Sequence, residues 1–236
     1  MILFHQFFDV TSCTLSYLLA DPLTGDAVII DSVKEHMGAY VSFLQEQELH
    51  LDWVLDTHVH ADHITGAAGL CELTGARSAI SAAGGVGCAD RLLSDGDTIV
   101  FGNELLRVIT TPGHTPGCVS YLWRDRLFTG DALMIGGCGR TDFQGGDAGT
   151  LYDSITERLF VMPDETLVYP GHDYRGARVS CIGQEKVSNP RLAGRSREDF
   201  IELMASLELP RPHMIDEALP ANLRCGRAGE LDVHGA

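Results

Sequence analysis

The chain has 236 residues, of which 44% are hydrophobic and 21% charged, the balance of an ordinary globular protein with one sizeable core and no need of staples. Its 33 acidic and 17 basic residues leave a formal net charge of -16, which argues against non-specific binding to nucleic acid or to an anionic membrane. Cys13, Cys71, Cys88, Cys118, Cys138, Cys181 and Cys225 are odd in number and lack a Cys-x-x-Cys spacing. They read as free thiols of a reducing compartment, not as a disulfide framework or a zinc ribbon.

The apolar start through Phe8 is short and has neither a basic stretch nor a small-residue cleavage site, so it does not read as a secretory leader. The expected compartment is the cytoplasm, with no membrane span. Leu15 to Leu19 and Ala27 to Ile30 read as strands around a turn at Asp21-Pro22-Leu23-Thr24-Gly25. Met37, Tyr40, Val41 and Leu44 fall at helical spacing. Ile64 to Leu73 and Leu151 to Leu159 are further helix candidates. Ser196-Arg197-Glu198-Asp199 is a capping box ahead of Phe200, Ile201 and Met204. From Pro210 onward periodicity is lost. We therefore expect one domain over 1–210 and a tail over 211–236 that is ordered in part at most.

The informative pattern is one that repeats. Trp53 to Thr57 is a short apolar strand, followed by His58-Val59-His60-Ala61-Asp62-His63. Leu105 to Ile109 is followed by Thr111-Pro112-Gly113-His114. Arg126 to Thr129 is followed by Gly130-Asp131, and Thr166 to Tyr169 by Pro170-Gly171-His172. Each time, an apolar strand ends in a turn and a metal-ligating side chain appears. Loops that leave one edge of a sheet converge, and functional residues gather there. A single histidine after a strand is usually a turn or cap residue. Three within six residues have no packing rationale and would repel one another if protonated. Imidazole with carboxylate suits zinc or iron. Two histidines and one carboxylate would make the open triad of non-haem iron enzymes, whereas all seven groups would make a two-metal hydrolytic site. Spacing does not choose between them.

These four motifs, Thr57 to His63, Thr111 to His114, Phe128 to Asp131 and Tyr169 to His172, occur in the order that resembles the metallo-β-lactamase superfamily. The resemblance covers about residues 1 to 195. It implies an αββα sandwich, in which two mixed β-sheets face each other with helices outside. Two branches compete, the glyoxalase II thioesterases and the persulfide dioxygenases, and Gly136-Gly137-Cys138-Gly139-Arg140 fits both. Thr141-Asp142-Phe143-Gln144, Gly117-Cys118, Tyr169 to Tyr174 and Asn189-Pro190-Arg191 resemble the dioxygenases. So do the 64 residues after His172 (236 minus 172), fewer than the usual glyoxalase II extension.

The dioxygenase resemblance implies one Fe(2+) per chain, held by His58, His114 and Asp131, with open positions for a persulfide sulfur and O2. His60, Asp62, His63 and His172 would then orient the ligands and hold water. Arg140 and Arg191 would pair with the carboxylates of glutathione persulfide, and Asp142 and Tyr174 would add hydrogen bonds. The implied products are sulfite and glutathione. The runner-up is a dinuclear glutathione thioesterase. No nucleic-acid or membrane partner is expected, and a homodimer is allowed. Cys118 and Cys138 read as small packing residues ahead of catalytic thiols.

Overall fold

A computed structural model describes residues 3–227. Strands β1 (Leu3–Phe8), β2 (Leu15–Ala20), β3 (Asp26–Ile30), β4 (His50–Leu55), β5 (Arg77–Ser81) and β6 (Arg91–Leu93) form one six-stranded sheet in that order. The second sheet runs β12 (Ser180–Cys181), β11 (Leu167–Pro170), β10 (Arg126–Gly130), β9 (Val119–Trp123), β8 (Glu104–Thr110), β7 (Thr98–Phe101). Both sheets mix parallel and antiparallel pairs. The expected αββα sandwich is what forms.

Strand β2 shows how the layers are specified. All six of its residues are buried, because successive side chains point to opposite faces and both faces are covered. Leu15, Tyr17 and Leu19 point between the sheets and meet Val108, Tyr121, Trp123 and Phe128. Leu18 and Ala20 point outward, against the layer of α1 (Met37–Glu46) and α2 (Ala67–Thr74) through Tyr40, Leu44 and Leu70. On the other side, α3 (Ala148–Asp153) runs into a wider-wound turn, Ser154–Leu159, and packs with α5 (Arg197–Ala205) over Leu127 and Val168, where α4 (Ile182–Ser188) adds Ile182. The capping box is present: Ser196 Oγ accepts from the Asp199 amide at 3.2 Å, and the Asp199 carboxylate accepts from the Ser196 amide at 3.1 Å. It fixes the start of α5 so that Phe200 and Met204, one turn apart, both enter the core.

Two expectations need correction. Cys88 and Cys225 form a disulfide, while Cys13, Cys71, Cys118, Cys138 and Cys181 are free. The two sulfurs come from positions 137 apart in sequence, a pairing that chain spacing does not encode. The stretch read as a tail also contains a packed helix, α6 (Ile215–Asn222). Its buried stripe is Ile215, Ala218, Ala221 and Asn222, which is small and polar enough to hide the helical period. Residues 228–236 of the expected tail lie outside the described residues. Among the described residues, no helix is long and apolar enough to cross a membrane.

Candidate metal centre

Strands β8 and β10 are each antiparallel to β9, and β10 is parallel to β11. The three therefore point the same way and deliver His114, Asp131 and His172 to one end of the second sheet. Strand β4 of the first sheet delivers His58 to His63 to that same end. The site thus bridges two sheets. Gly130 makes the joint possible: its φ is +50°, and a Cβ there would lie 2.5 Å from Thr57 Oγ1, closer than any side chain allows.

Donor atoms of His58, His114 and Asp131 lie within 4.8 Å of one another, and all three residues are buried. Hydrogen bonds assign the imidazole tautomers. Thr57 Oγ1 donates to Asp31 Oδ2 at 2.9 Å, so it accepts from His58 Nδ1, also at 2.9 Å. His114 Nδ1 is 2.7 Å from the Arg140 carbonyl and must donate to it. Both rings therefore present the Nε2 lone pair, and His114 Nε2 is 3.6 Å from Asp131 Oδ2. Burial and the neighbouring charge of His60 hold His58 well below its usual range, so it is neutral. Burial works against the Asp131 charge, but the charged His172 ring beside it overcomes this and keeps the carboxyl ionised. Two imidazoles that turn Nε2 toward each other and a carboxylate are a donor set that fits a divalent transition metal.

A chain of hydrogen bonds supports this set. His172 Nδ1 lies 2.7 Å from Asp131 Oδ1 and its Nε2 3.0 Å from Asp62 Oδ2. Burial opposes protonation of His172, yet the two carboxylates raise it well above the usual imidazole range. It is an imidazolium that donates through both nitrogens. Asp62 Oδ2 also accepts from Thr14 Oγ1 at 3.0 Å and lies 2.9 Å from His63 Nδ1. His60 Nε2 donates to Asp31 Oδ1 at 3.1 Å. Against burial, Asp31 raises His60 to about 9. His60 Nδ1 and His63 Nε2 are buried without a hydrogen-bond partner among the described residues.

The triad opens into a cavity of about 1000 Å³. Leu209 to Met214 form one wall. Arg140 lines it but is largely committed. Its Nε and Nη2 donate to the Asp142 carboxylate at 2.6 and 2.7 Å, and its Nη1 and Nη2 donate to the carbonyls of Pro210 and Leu209 at 2.6 and 3.3 Å. Arg191 donates through Nη1 to the Cys138 carbonyl at 2.6 Å. Its Nε and Nη2 have no hydrogen-bond partner among the described residues. The Tyr174 ring stacks on His172 at 5.5 Å and is 65% exposed at the cavity mouth.

The pattern of the family described as "Metallo-beta-lactamase superfamily" matches residues 14–172. The human protein named persulfide dioxygenase ETHE1, mitochondrial, is 48% identical over 228 residues, 95% of this chain and 89% of that protein. The crystal structure of ETHE1 from Myxococcus xanthus superposes with a TM-score of 0.94 at 51% identity, covering 95% of this chain and all of that one. A metallo-beta-lactamase from Staphylococcus aureus superposes at 0.88 with 27% identity, over 98% of this chain and 74% of that one. This chain belongs to the persulfide dioxygenase family of the metallo-beta-lactamase superfamily.

Within this persulfide dioxygenase site, the structure brings together all seven strand-end side chains, with Arg140, Tyr174 and Arg191 lining the cavity and Asp142 paired to Arg140. Sequence reasoning missed Asp31, which accepts from the Thr57 amide at 2.7 Å, from Thr57 Oγ1 and from His60. The signal was available, since Asp31 follows an apolar strand as Asp131 does. Thr14 and Thr57 were missed too, and carry no such signal. Arg175 also lines the cavity, with no ion-pair partner among the described residues. Cys118 and Cys138 are buried, and burial pushes both thiols up, Cys118 to about 12. They are packing groups at neutral pH.

Proposed function

We propose that the protein is a mononuclear iron(II) dioxygenase that oxidises glutathione persulfide with O2 and water to sulfite and glutathione. One observation carries the reading. His172 spends both nitrogens on Asp131 and Asp62, so it has no lone pair for a second ion. The set left facing the cavity is His58, His114 and Asp131, two imidazoles and one carboxylate. The bound ion would supply open coordination positions where O2 and the persulfide sulfur meet.

The chain's own groups would do the rest. His172 holds Asp131 in orientation, and Thr57 and the Arg140 carbonyl hold the two imidazoles. The uncommitted N–H groups of Arg191 offer a fork for a carboxylate of the substrate. Tyr174 stands at the mouth as a hydrogen-bonding partner, and Asp142 would act through the Arg140 guanidinium it holds. Arg140 acts through the wall it braces at Leu209 and Pro210. Holding the persulfide against the triad turns an encounter of separate reactants into a reaction within one complex. The proposed compartment is the cytoplasm, on the five cysteines that stand as free thiols; cell fractionation tests it. A homodimer, tested by sedimentation, stays an allowed assembly.

The competing dinuclear thioesterase has one observation in its favour, that His60 Nδ1 and His63 Nε2 are buried with no partner among the described residues. Metal analysis separates the two readings. About one iron per chain, with O2 uptake and sulfite release on glutathione persulfide, is the expected result. Two zinc ions per chain with rapid cleavage of S-lactoylglutathione would reverse it.

A further inference from the structure

The last described turn of the chain reaches the back of the histidine loop. Asn222, buried at the end of α6, donates through Nδ2 to the carbonyls of His60 and His63, both at 2.8 Å. Its Oδ1 accepts from the Thr65 amide at 2.9 Å. One side chain thereby satisfies three backbone groups of a loop that makes neither helix nor strand. The carbonyl of Cys225 accepts from the Ala68 amide at 3.0 Å, one of the first-turn donors of α2 that the helix itself leaves unpaired.

The end of α6 is closed by two bonds, Gly226 N to Ala221 O and Cys225 N to Asn222 O, at 2.9 and 3.0 Å. In that closure, the residue after the cap is left-handed and is normally glycine. Here it is Cys225, at φ +60°, and its sulfur is bonded to Cys88 in the loop after β5. A side chain stands where none is favoured, and it is the one that ties the turn down.

We propose that Asn222 is a positioning residue for the metal-binding loop, and that the Cys88–Cys225 disulfide is a redox clasp that sets how firmly Asn222 is held. Reduction by an external pair of thiols breaks the S–S bond and puts two electrons and two protons on the two sulfurs. The reductant leaves as its own disulfide. The α6 turn is then held by hydrogen bonds and packing alone, and the loop carrying His58 loses part of its support. The thiol pool around the enzyme would thus tune its grip on the metal.

The inference rests on the metal-binding reading of His58, so the test has a readout that needs no metal. Amide hydrogen exchange over residues 58–66 is measured in the metal-free protein. Iron(II) release to excess chelator is measured in the loaded protein. The proteins compared are oxidised wild type, wild type reduced with a phosphine and desalted without air, Cys88→Ser and Asn222→Ala. Cys71→Ser, a free thiol on α2, is the control. Iron release and 58–66 exchange should quicken about tenfold or more in Asn222→Ala, in the range seen when groups that orient ligands are lost. They should quicken about threefold in the reduced protein and in Cys88→Ser by the same reasoning. Exchange in β8 and β9 and in the Cys71→Ser control should not change. If Asn222→Ala fails to fold, reduced wild type and Cys88→Ser decide the matter. Equal release and equal loop exchange in oxidised and reduced protein would overturn the clasp, even with one iron bound per chain. Failure to bind iron at all would sink the functional reading while the exchange data still judge the clasp.

Discussion

His172 joins the two carboxylates of the site, and its removal frees Asp131 to rotate away from the triad. His172→Gln should lower affinity for iron(II) by about 10- to 100-fold with the fold intact. Chelator competition with circular dichroism on the same sample checks this, and an unchanged affinity would mean the loop alone orients Asp131. Asp9, on the loop after β1, supplies a pH test outside the triad, to which it is linked only through Ser12 and Thr14. Burial would raise its pKa, but Ser12 donates through its hydroxyl and amide at 2.6 and 2.7 Å, and His36 lies at 2.9 Å; the carboxyl falls to about 2. A folded pKa below the unfolded value stabilises the fold above about pH 4, and that stability drains away as pH falls toward 2. Asp9→Asn should therefore cost about 1–2 kcal/mol at pH 7. The gap to wild type should narrow by about 1 kcal/mol between pH 5 and pH 3. Urea unfolding across that range reads it directly, and a gap independent of pH would refute the assignment.

At the scale of elements, the segment between α5 and α6 is part of the site. It forms a cavity wall, and Arg140 pins it through the Leu209 and Pro210 carbonyls. Arg140→Ala should raise KM several-fold and speed hydrogen exchange over 207–214, while iron content stays at wild type. The change in KM follows from loss of a wall that shapes the bound substrate in ground and transition states alike. If KM moved with no change in exchange, Arg140 would be a direct substrate contact and not a brace.

At the scale of the molecule, a net charge of -16 surrounds a cavity lined by Arg140, Arg175, Arg191 and Arg211. Distant surface acids act on an approaching anion over lengths that salt screens, whereas a guanidinium in contact is screened little. For an anionic persulfide, kcat/KM should rise as salt goes from about 10 to 150 mM, a range in which the screening length shrinks to about 8 Å. Stopped-flow or initial-rate kinetics give the sign. A steep fall would mean that the arginines, not the acids, dominate the field outside the cavity.

What the sequence determined by itself was local and periodic. The alternation in Leu15 to Leu19, the capping box at Ser196, and a polar ligand after each apolar strand all follow from short-range geometry. Seven candidate side chains were legible because each follows the end of an apolar strand, whereas the choice of His58, His114 and Asp131 among them came from the family resemblance and not from spacing. Tertiary structure alone decided the rest, because the deciding contacts join residues far apart in the chain. Only the fold shows that His172 is spent on two carboxylates. Only the fold shows that Arg140 holds a wall, or that Asn222 and Cys225 hold a loop some 160 residues upstream. Helix α6 escaped detection for the same reason. Its buried stripe carries an asparagine because what it packs against is backbone, and a polar contact leaves no hydrophobic period to read.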